Sequence, residues 1–426
     1  MTFVYDLFFL VFSIIYIPIL LFKGKFHKDF AQRFGFLPSC VLGLDRPIWI
    51  HGVSVGEAMV AIKLAEKLKT VFPKKRLIIS TTTRTGYETA KKGAGENVDG
   101  IFYFPVDISF VVSSVVRNIG PSIFIMVETE IWPNILYALK KYGAVSCVIN
   151  GRISDRSFGR YNFIKPLISG VLKNVDMFCM QSQKDAERIE SLGARKEKIC
   201  ITGNIKFDVA LGAGKCQKYD KRSLLFGVND EVIVAGSTHY PEETYVVEAY
   251  LKLKVKYPAL KLILAPRHNA RSLSIGKYLR EKSLTFALLT DVLQNKAGAA
   301  GPFDCLLVDA IGYLKDLYPL ATVVFIGGSL MKKGGQNPIE PALCKKPVVF
   351  GPHMFNFREV SEAFVKDGGA VRVKDKDELF IVLDRLLGDI KERSRMGENA
   401  FLAVQKNRGA LDKTVECLRN VGISYL

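Results

Sequence analysis

The chain is short of the features that announce most cofactor chemistries. It has two tryptophans and five histidines in 426 residues. Its eight cysteines, Cys40, Cys147, Cys179, Cys200, Cys216, Cys305, Cys344 and Cys417, are scattered. No pair has CxxC spacing and no Cys/His cluster has the form of a zinc site. Reduced thiols, several of them small core residues in apolar runs, are the reading that follows. There is no Walker A lysine motif and no GxGxxG after the first strand-like segment. No DxD pair or His/carboxylate set calls for a metal. Internal repeats and low-complexity tracts are absent as well.

Acidic residues are in deficit: 42 against 60 lysines and arginines, a formal net charge of +18. That points to an anionic partner, whether nucleotide, nucleic acid, phospholipid headgroup or acidic substrate. A basic surface kept for solubility is the plainer alternative. The 49% hydrophobic and 24% charged content describes a globular protein. At this length two domains are expected.

Residues 7 to 22, LFFLVFSIIYIPILLF, carry no charge, and Lys23, Lys25, His27 and Lys28 follow at once. A spanning helix needs about 20 apolar residues, so this run is short unless Phe3, Val4 and Tyr5 join it past Asp6. A signal peptide fits poorly, because no basic region precedes the run and no small-residue cleavage site follows. Positive flanks stay cytoplasmic. Residues 1–28 therefore read as a membrane anchor with a basic flank, the remaining chain lying in the cytoplasm. A buried core helix is the competing reading.

Beyond that point short apolar runs alternate with amphipathic stretches. The runs 47–50, 77–80, 123–127, 144–149, 177–180 and 199–202 predict strands, and the pattern restarts with 232–235, 260–265, 305–308, 323–326 and 347–350. Continuous apolar strands with helical connections imply parallel sheets covered on both faces. Two doubly wound α/β halves follow, 29–208 and 221–426, joined by a linker at 209–220. They are expected to face one another across a cleft, with ligands at the carboxyl ends of the strands.

The post-strand segments carry the candidate chemistry. His51-Gly52-Val53-Ser54-Val55-Gly56-Glu57 opens a helix, where backbone N–H groups can meet an anion. Glu57 either complements the helix dipole or acts as a general base. Glu128-Thr129-Glu130 follows a buried strand beside Trp132. A carboxylate at the end of a buried strand costs desolvation unless paired, so Glu128 is favoured for function; for Glu130 the plainer alternative is a cap on the next helix, with Pro133 in its first turn. Arg152 and Lys206 can supply positive charge to a phosphate or carboxylate. In the second half, Gly327-Gly328-Ser329-Leu330 and Gly334-Gly335-Gln336-Asn337 have the form of phosphate cradles. Glu340 can accept from a ribose hydroxyl. Four of the five histidines, 51, 239, 268 and 353, fall in such segments and favour a polar site.

With those segments in hand the chain resembles the 3-deoxy-D-manno-octulosonic acid (Kdo) transferases of lipid A assembly. The resemblance runs the length of the chain on HGVSVGE, VETEIWPN, NGRISDRS, GNIKFD, STH, APRH, GGSL with GGQNPIEPA, and FGPHMFNF, in the family's order and spacing. It implies a two-domain GT-B glycosyltransferase that moves Kdo from CMP-Kdo to a lipid A precursor (lipid IVA), with inversion and without metal or other cofactor. The acceptor is implied on the N-terminal domain and CMP-Kdo on the C-terminal one. Glu57 matches the family's catalytic base, and Glu128 and Lys206 match positions assigned to transition-state stabilisation. The CMP site is implied at Pro266 and Arg267, at Ile311, Gly312 and Tyr313, and at Asn337, Pro338, Ile339 and Glu340. Relatives carry a carboxylate where Tyr313 stands. The implied location is the bacterial inner membrane, catalytic domains inside, where an anionic membrane surface suits the basic charge.

Two other readings compete. A membrane-associated GT-B transferase using a UDP-sugar, or a nucleotide-sugar epimerase, shares the architecture, since fold does not fix function. A non-catalytic nucleic-acid or lipid binder would suit the charge, but the basic residues are dispersed and no nucleic-acid motif is present. No nucleic-acid partner is expected.

Overall fold

In this computed structural model of the protein, residues 5–6, 29–211, 219–295 and 302–423 are described. The chain forms two compact units, Met1–Val209 with Arg408–Leu426, and Ala210–Asn407.

Unit 1 is built on β1 (Ile48–Gly52), β2 (Leu77–Thr81), β3 (Gly100–Tyr103), β4 (Ile123–Val127), β5 (Val145–Gly151), β6 (Met177–Met180) and β7 (Ile199–Ile201). They form one parallel sheet in the order β3-β2-β1-β4-β5-β6-β7. β1, β2 and β4 are buried along their whole length, as a sheet covered on both faces requires. Alternation of side chains divides the core in two. Ile48 and Ile50 join one cluster with Ile125 and Ile149. Trp49 faces the other way, among Phe102, Phe104 and Phe124, with ring centroids 4.8–6.0 Å away. Its indole N–H donates to Ser80 Oγ at 2.7 Å.

Unit 2 repeats the plan with β8 (Glu231–Thr238), β9 (Leu260–Pro266), β10 (Phe286–Leu288), β11 (Cys305–Leu307), β12 (Val323–Ile326), β13 (Val348–Phe350) and β14 (Ala370–Arg372). Its order is β10-β11-β9-β8-β12-β13-β14, again parallel. In each sheet the order reverses beside the first strand of the unit, β1 next to β4 and β8 next to β12. Doubly wound folds bind ligands outside the strand ends at that point.

All eleven expected strands are present, and three more, β3, β10 and β14, lie at sheet edges. An edge strand of three or four residues has one paired side and partial burial, so its apolar signal is weak.

The second unit ends at Asn407, short of the expected 221–426. The helix Ala410–Leu418 packs on unit 1, burying Ala410, Val415 and Leu418 in the cluster that holds Ile205 and Cys179. Asp208 fixes the return: its carboxylate accepts Gly409 N–H and Leu411 N–H at 2.9 Å each, satisfying donors that a helix start leaves open.

The expected anchor, residues 7–22, lies outside the described residues. Among those described, no helix is long and apolar enough to cross a membrane. Just before the run, Asp6 accepts Ser109 N–H at 3.1 Å and Asn134 Nδ2–H at 2.7 Å. Cys147, Cys179 and Cys305 are buried, the small core residues anticipated, whereas Cys216 lies outside the described residues.

Candidate active site

In unit 1 the strand ends gather four charged side chains. Ser54 caps the helix Val55–Val71. Glu57, in its first turn, reaches back so that Oε2 accepts Val53 N–H at 2.6 Å and Oε1 accepts the Ser54 hydroxyl at 2.7 Å. This is a variant of the capping box in which the N–H comes from the residue before the N-cap, so the structural role of Glu57 is real, and it fixes the carboxylate at the end of β1. Glu57 is 8% exposed. Burial first, then the charge of Glu128, pushes its pKa above the usual carboxylate range; Ser54, Val53 N–H and Lys206 pull it back. A carboxylate so raised takes up a proton more readily, which suits a general base.

Glu128 ends β4 in the left-handed region, φ +63. For a non-glycine residue that conformation costs of order 1–3 kcal/mol and persists where the surroundings impose it, commonly at functional sites. Its Oε1 pairs with Lys206 Nζ at 2.9 Å, both side chains half-buried. Lys206 is placed from β5: Asn150, also left-handed at φ +52, accepts Ile205 N–H on Oδ1 at 3.0 Å. Asn204 Oδ1 accepts Lys206 N–H at the same distance. Arg152, expected as a source of positive charge, donates its backbone N–H to Thr129 Oγ at 3.0 Å.

Glu130 does not cap the following helix. Asp107 does, its carboxylate accepting Asn134 N–H at 3.1 Å and Ile135 N–H at 2.8 Å. Glu130 joins the acidic group instead, and burial followed by Glu57 and Glu128 pushes it up to about 7. The spacing Glu-x-Glu held this signal, but the proline opening the helix drew the second carboxylate into a capping reading. His51 is a further correction. β1 runs to Gly52, so His51 is a core residue, fully buried and stacked on Phe104 at 3.8 Å. Burial pushes its imidazole down to about 3, which keeps it neutral.

In unit 2 a cavity of about 280 Å³ opens at the ends of β8, β9 and β11. Of the nine residues expected for the nucleotide, Pro266, Arg267, Ile311, Gly312, Asn337 and Glu340 line it. Tyr313 does not, lying with its ring 6.4 Å from that of Tyr219. Pro338 and Ile339 are buried behind the lining. Ser237 and Gln336, from segments singled out in the sequence, line the cavity too, and Asn269, Lys315 and Tyr318 also do so and were not foreseen. Ser237 is another left-handed strand-end residue, φ +56. Tyr318 crosses beneath β8, where a Cβ on Gly236 would lie 2.5 Å from its hydroxyl. Glu340 accepts from Asn337 Nδ2 at 3.0 Å, and burial raises it against the pull of Asn337 and Lys315.

The glycine turns are not phosphate cradles. Glu242, fully buried, already fills the first: its carboxylate accepts N–H from Gly328, Ser329, Leu330 and His239 at 2.6–2.9 Å. Gly335 N–H and Gln336 N–H donate to Gly328 and Gly327 carbonyls, and a Cβ on Gly335 would fall 2.1 Å from Met354 Sδ. These glycines let the loops after β12 and β13 pack on each other. Because four N–H groups depend on one buried carboxylate, Glu242→Leu is expected to destabilise the fold by roughly 3–5 kcal/mol. An unchanged denaturation midpoint would contradict that role.

Paired Rossmann-like sheets of this kind also occur in other sugar-nucleotide proteins. The UDP-GlcNAc 2-epimerase of Neisseria meningitidis, bound to UDP-GlcNAc, superposes with a TM-score of 0.59 at 14% identity, over 88% of this chain and 99% of that one. At that identity the likeness concerns the fold alone. Sequence relatives go further. Residues 28–209 match the family described as 3-deoxy-D-manno-octulosonic-acid transferase (kdotransferase). The 3-deoxy-D-manno-octulosonic acid transferase of Haemophilus influenzae is 32% identical over 93% of this chain and 92% of its own length. That of Chlamydophila psittaci is 31% identical over 98% and 96%. The protein is a glycosyltransferase with two Rossmann-like units of the GT-B type. It belongs to the Kdo transferase family.

Proposed function

We propose that the enzyme transfers Kdo from CMP-Kdo to a lipid A precursor, lipid IVA, in lipopolysaccharide core biosynthesis, with inversion and without a metal ion, at the cytoplasmic face of the inner membrane. The observation that carries this reading is the group Glu57, Glu128 and Lys206: the two carboxylates follow the neighbouring strands β1 and β4, and Lys206 reaches Glu128 from beyond β7. Glu57 takes the proton of the acceptor hydroxyl as its oxygen forms the bond to the anomeric carbon. The bond from that carbon to the CMP phosphate breaks in the same displacement, which inverts the centre. Lys206, oriented by Glu128, sits where negative charge must be balanced in the transition state. Arg267 and Lys315 in the unit 2 cavity supply positive charge to the departing phosphate.

A lipid acceptor has support in the surface of unit 1. Along the helices Asp155–Phe163 and Lys165–Leu172, Phe163 is 89% and Leu167 52% exposed. Arg156, Arg160 and Lys165 are exposed on the same stretch. Apolar tips among basic residues suit an anionic bilayer.

The donor assignment is tested by thermal protection. At a hundred times its Kd, CMP stabilises by about 2.7 kcal/mol through mass action, and UMP at the same concentration is expected to give a smaller shift. Protection by UMP and not by CMP would replace the donor with a UDP-sugar. Transfer persisting in EDTA, with product anomeric configuration opposite to the donor's, tests metal independence and inversion together.

A further inference from the structure

Beside the unit 2 cavity lies a second cluster, whose His239, His268 and Lys333 are outside the cavity lining. His239 follows β8 and His268 follows β9, and their rings meet edge to face with centroids 5.6 Å apart. A Cβ on Gly328, after β12, would fall 3.3 Å from His239 Cδ2, 3.4 Å from Gln336 Nε2 and 3.5 Å from Lys333 Cβ. The loops after β8 and β12 thus meet at this glycine, which stands at φ +69, and the loop after β9 joins them through the His239–His268 contact. Gln336 belongs to the cavity lining too, and Arg267, which precedes His268, lines it as well. The cluster and the cavity are therefore contiguous.

The carboxylates near this cluster are committed. Glu242 holds the backbone N–H groups of the Gly328 turn. Glu243 pairs with Arg271 at 2.7 Å, and Arg271 also lies 5.3 Å over the Tyr240 ring. What faces outward is Lys333, Arg267 and two imidazoles, with Lys333 and His268 exposed and His239 half-buried. Burial, then His268 and the neighbouring cations, depress His239, leaving it a neutral hydrogen-bond donor. A solvated basic rim would not require His239 to pack against both His268 and a left-handed glycine whose own loop carries Lys333.

The donor chemistry proposed above supplies a ligand. In a nucleoside monophosphate ester of a 2-ulosonic acid, one anomeric carbon carries both the phosphate and a carboxylate. A cavity that takes the nucleoside and phosphate leaves that carboxylate one carbon away, needing donors of its own. We propose that His239, His268 and Lys333 form a carboxylate subsite for the donor sugar and select ulosonic-acid donors over neutral hexose donors. This rests on the CMP-Kdo reading of the same cavity.

The test compares Lys333→Met, His239→Gln and His268→Gln with wild type, measuring KM for CMP-Kdo and the inhibition constant of CMP, which lacks the carboxylate. Loss of a hydrogen bond to a charged group corresponds to about a tenfold to hundredfold rise in KM. The inhibition constant of CMP is expected to stay within about twofold, which also reports that each variant is folded. An unchanged KM in all three variants overturns the subsite. A CMP inhibition constant rising in step with KM overturns it as well, by assigning the cluster to the phosphate. Failure of the wild type to use CMP-Kdo at all would instead remove the donor reading on which the subsite rests.

Discussion

Glu57→Gln is expected to lower kcat for Kdo transfer by about 10²–10⁴, the contribution of a positioned general base, with CMP binding unchanged. Glutamine is the informative replacement. Its amide oxygen can still accept Val53 N–H, and its NH₂ can still meet Ser54, so the start of the helix Val55–Val71 keeps its cap. The stability change is expected to stay below about 1 kcal/mol, whereas alanine would add the cost of a lost cap. A melt near the wild-type temperature combined with a large loss of turnover separates the chemical role from the structural one. Near-normal turnover would move the base elsewhere, and Glu130 would be the first place to look, because burial and two neighbouring carboxylates hold it near neutrality.

Lys206→Met is expected to cost about 10²–10³ in kcat, as removal of one preorganised charge-stabilising donor does. It also has a signature in pH that a merely structural lysine would not give. The base must be deprotonated, so activity falls as pH falls through the pKa of Glu57. Lys206 pulls that pKa down and Glu128 pushes it up. Removing Lys206 therefore moves the acid limb of kcat/KM to higher pH. Removing the charge of Glu128, as in Glu128→Gln, moves it to lower pH. Shifts in the same direction for both variants, or an acid limb that ignores both, would disconnect this trio from the proton transfer.

The architecture was largely legible because both sheets are parallel and buried, which writes each central strand as an uninterrupted apolar run. The strands that stayed hidden, β3, β10 and β14, are short edges of three or four residues paired on one side only. Sequence places Glu57, Glu128 and Lys206 at strand ends, but their meeting is a tertiary fact, set by Asn150 reaching across to Ile205. The return of the helix Ala410–Leu418 was hidden for a related reason: its partner, Asp208, lies some two hundred residues earlier. The glycine turns misled because local sequence shows N–H groups open to an anion without showing that Glu242 reaches them from the next helix over. Lys315 and Tyr318 escaped notice because neither directly follows a strand. His51 misled by two residues of strand length: a histidine just past a strand and one just inside it differ by the whole depth of the core.

The most direct measurement is transfer of labelled Kdo from CMP-Kdo to tetra-acylated lipid A precursor, by wild type and Glu57→Gln side by side, with CMP binding measured on both. The account predicts labelled lipid from the wild type, a loss of two or more orders of magnitude in the variant, and equal CMP affinity. Labelled lipid at comparable rates from both proteins would contradict the site, and none from a folded, CMP-binding wild type would contradict the reaction.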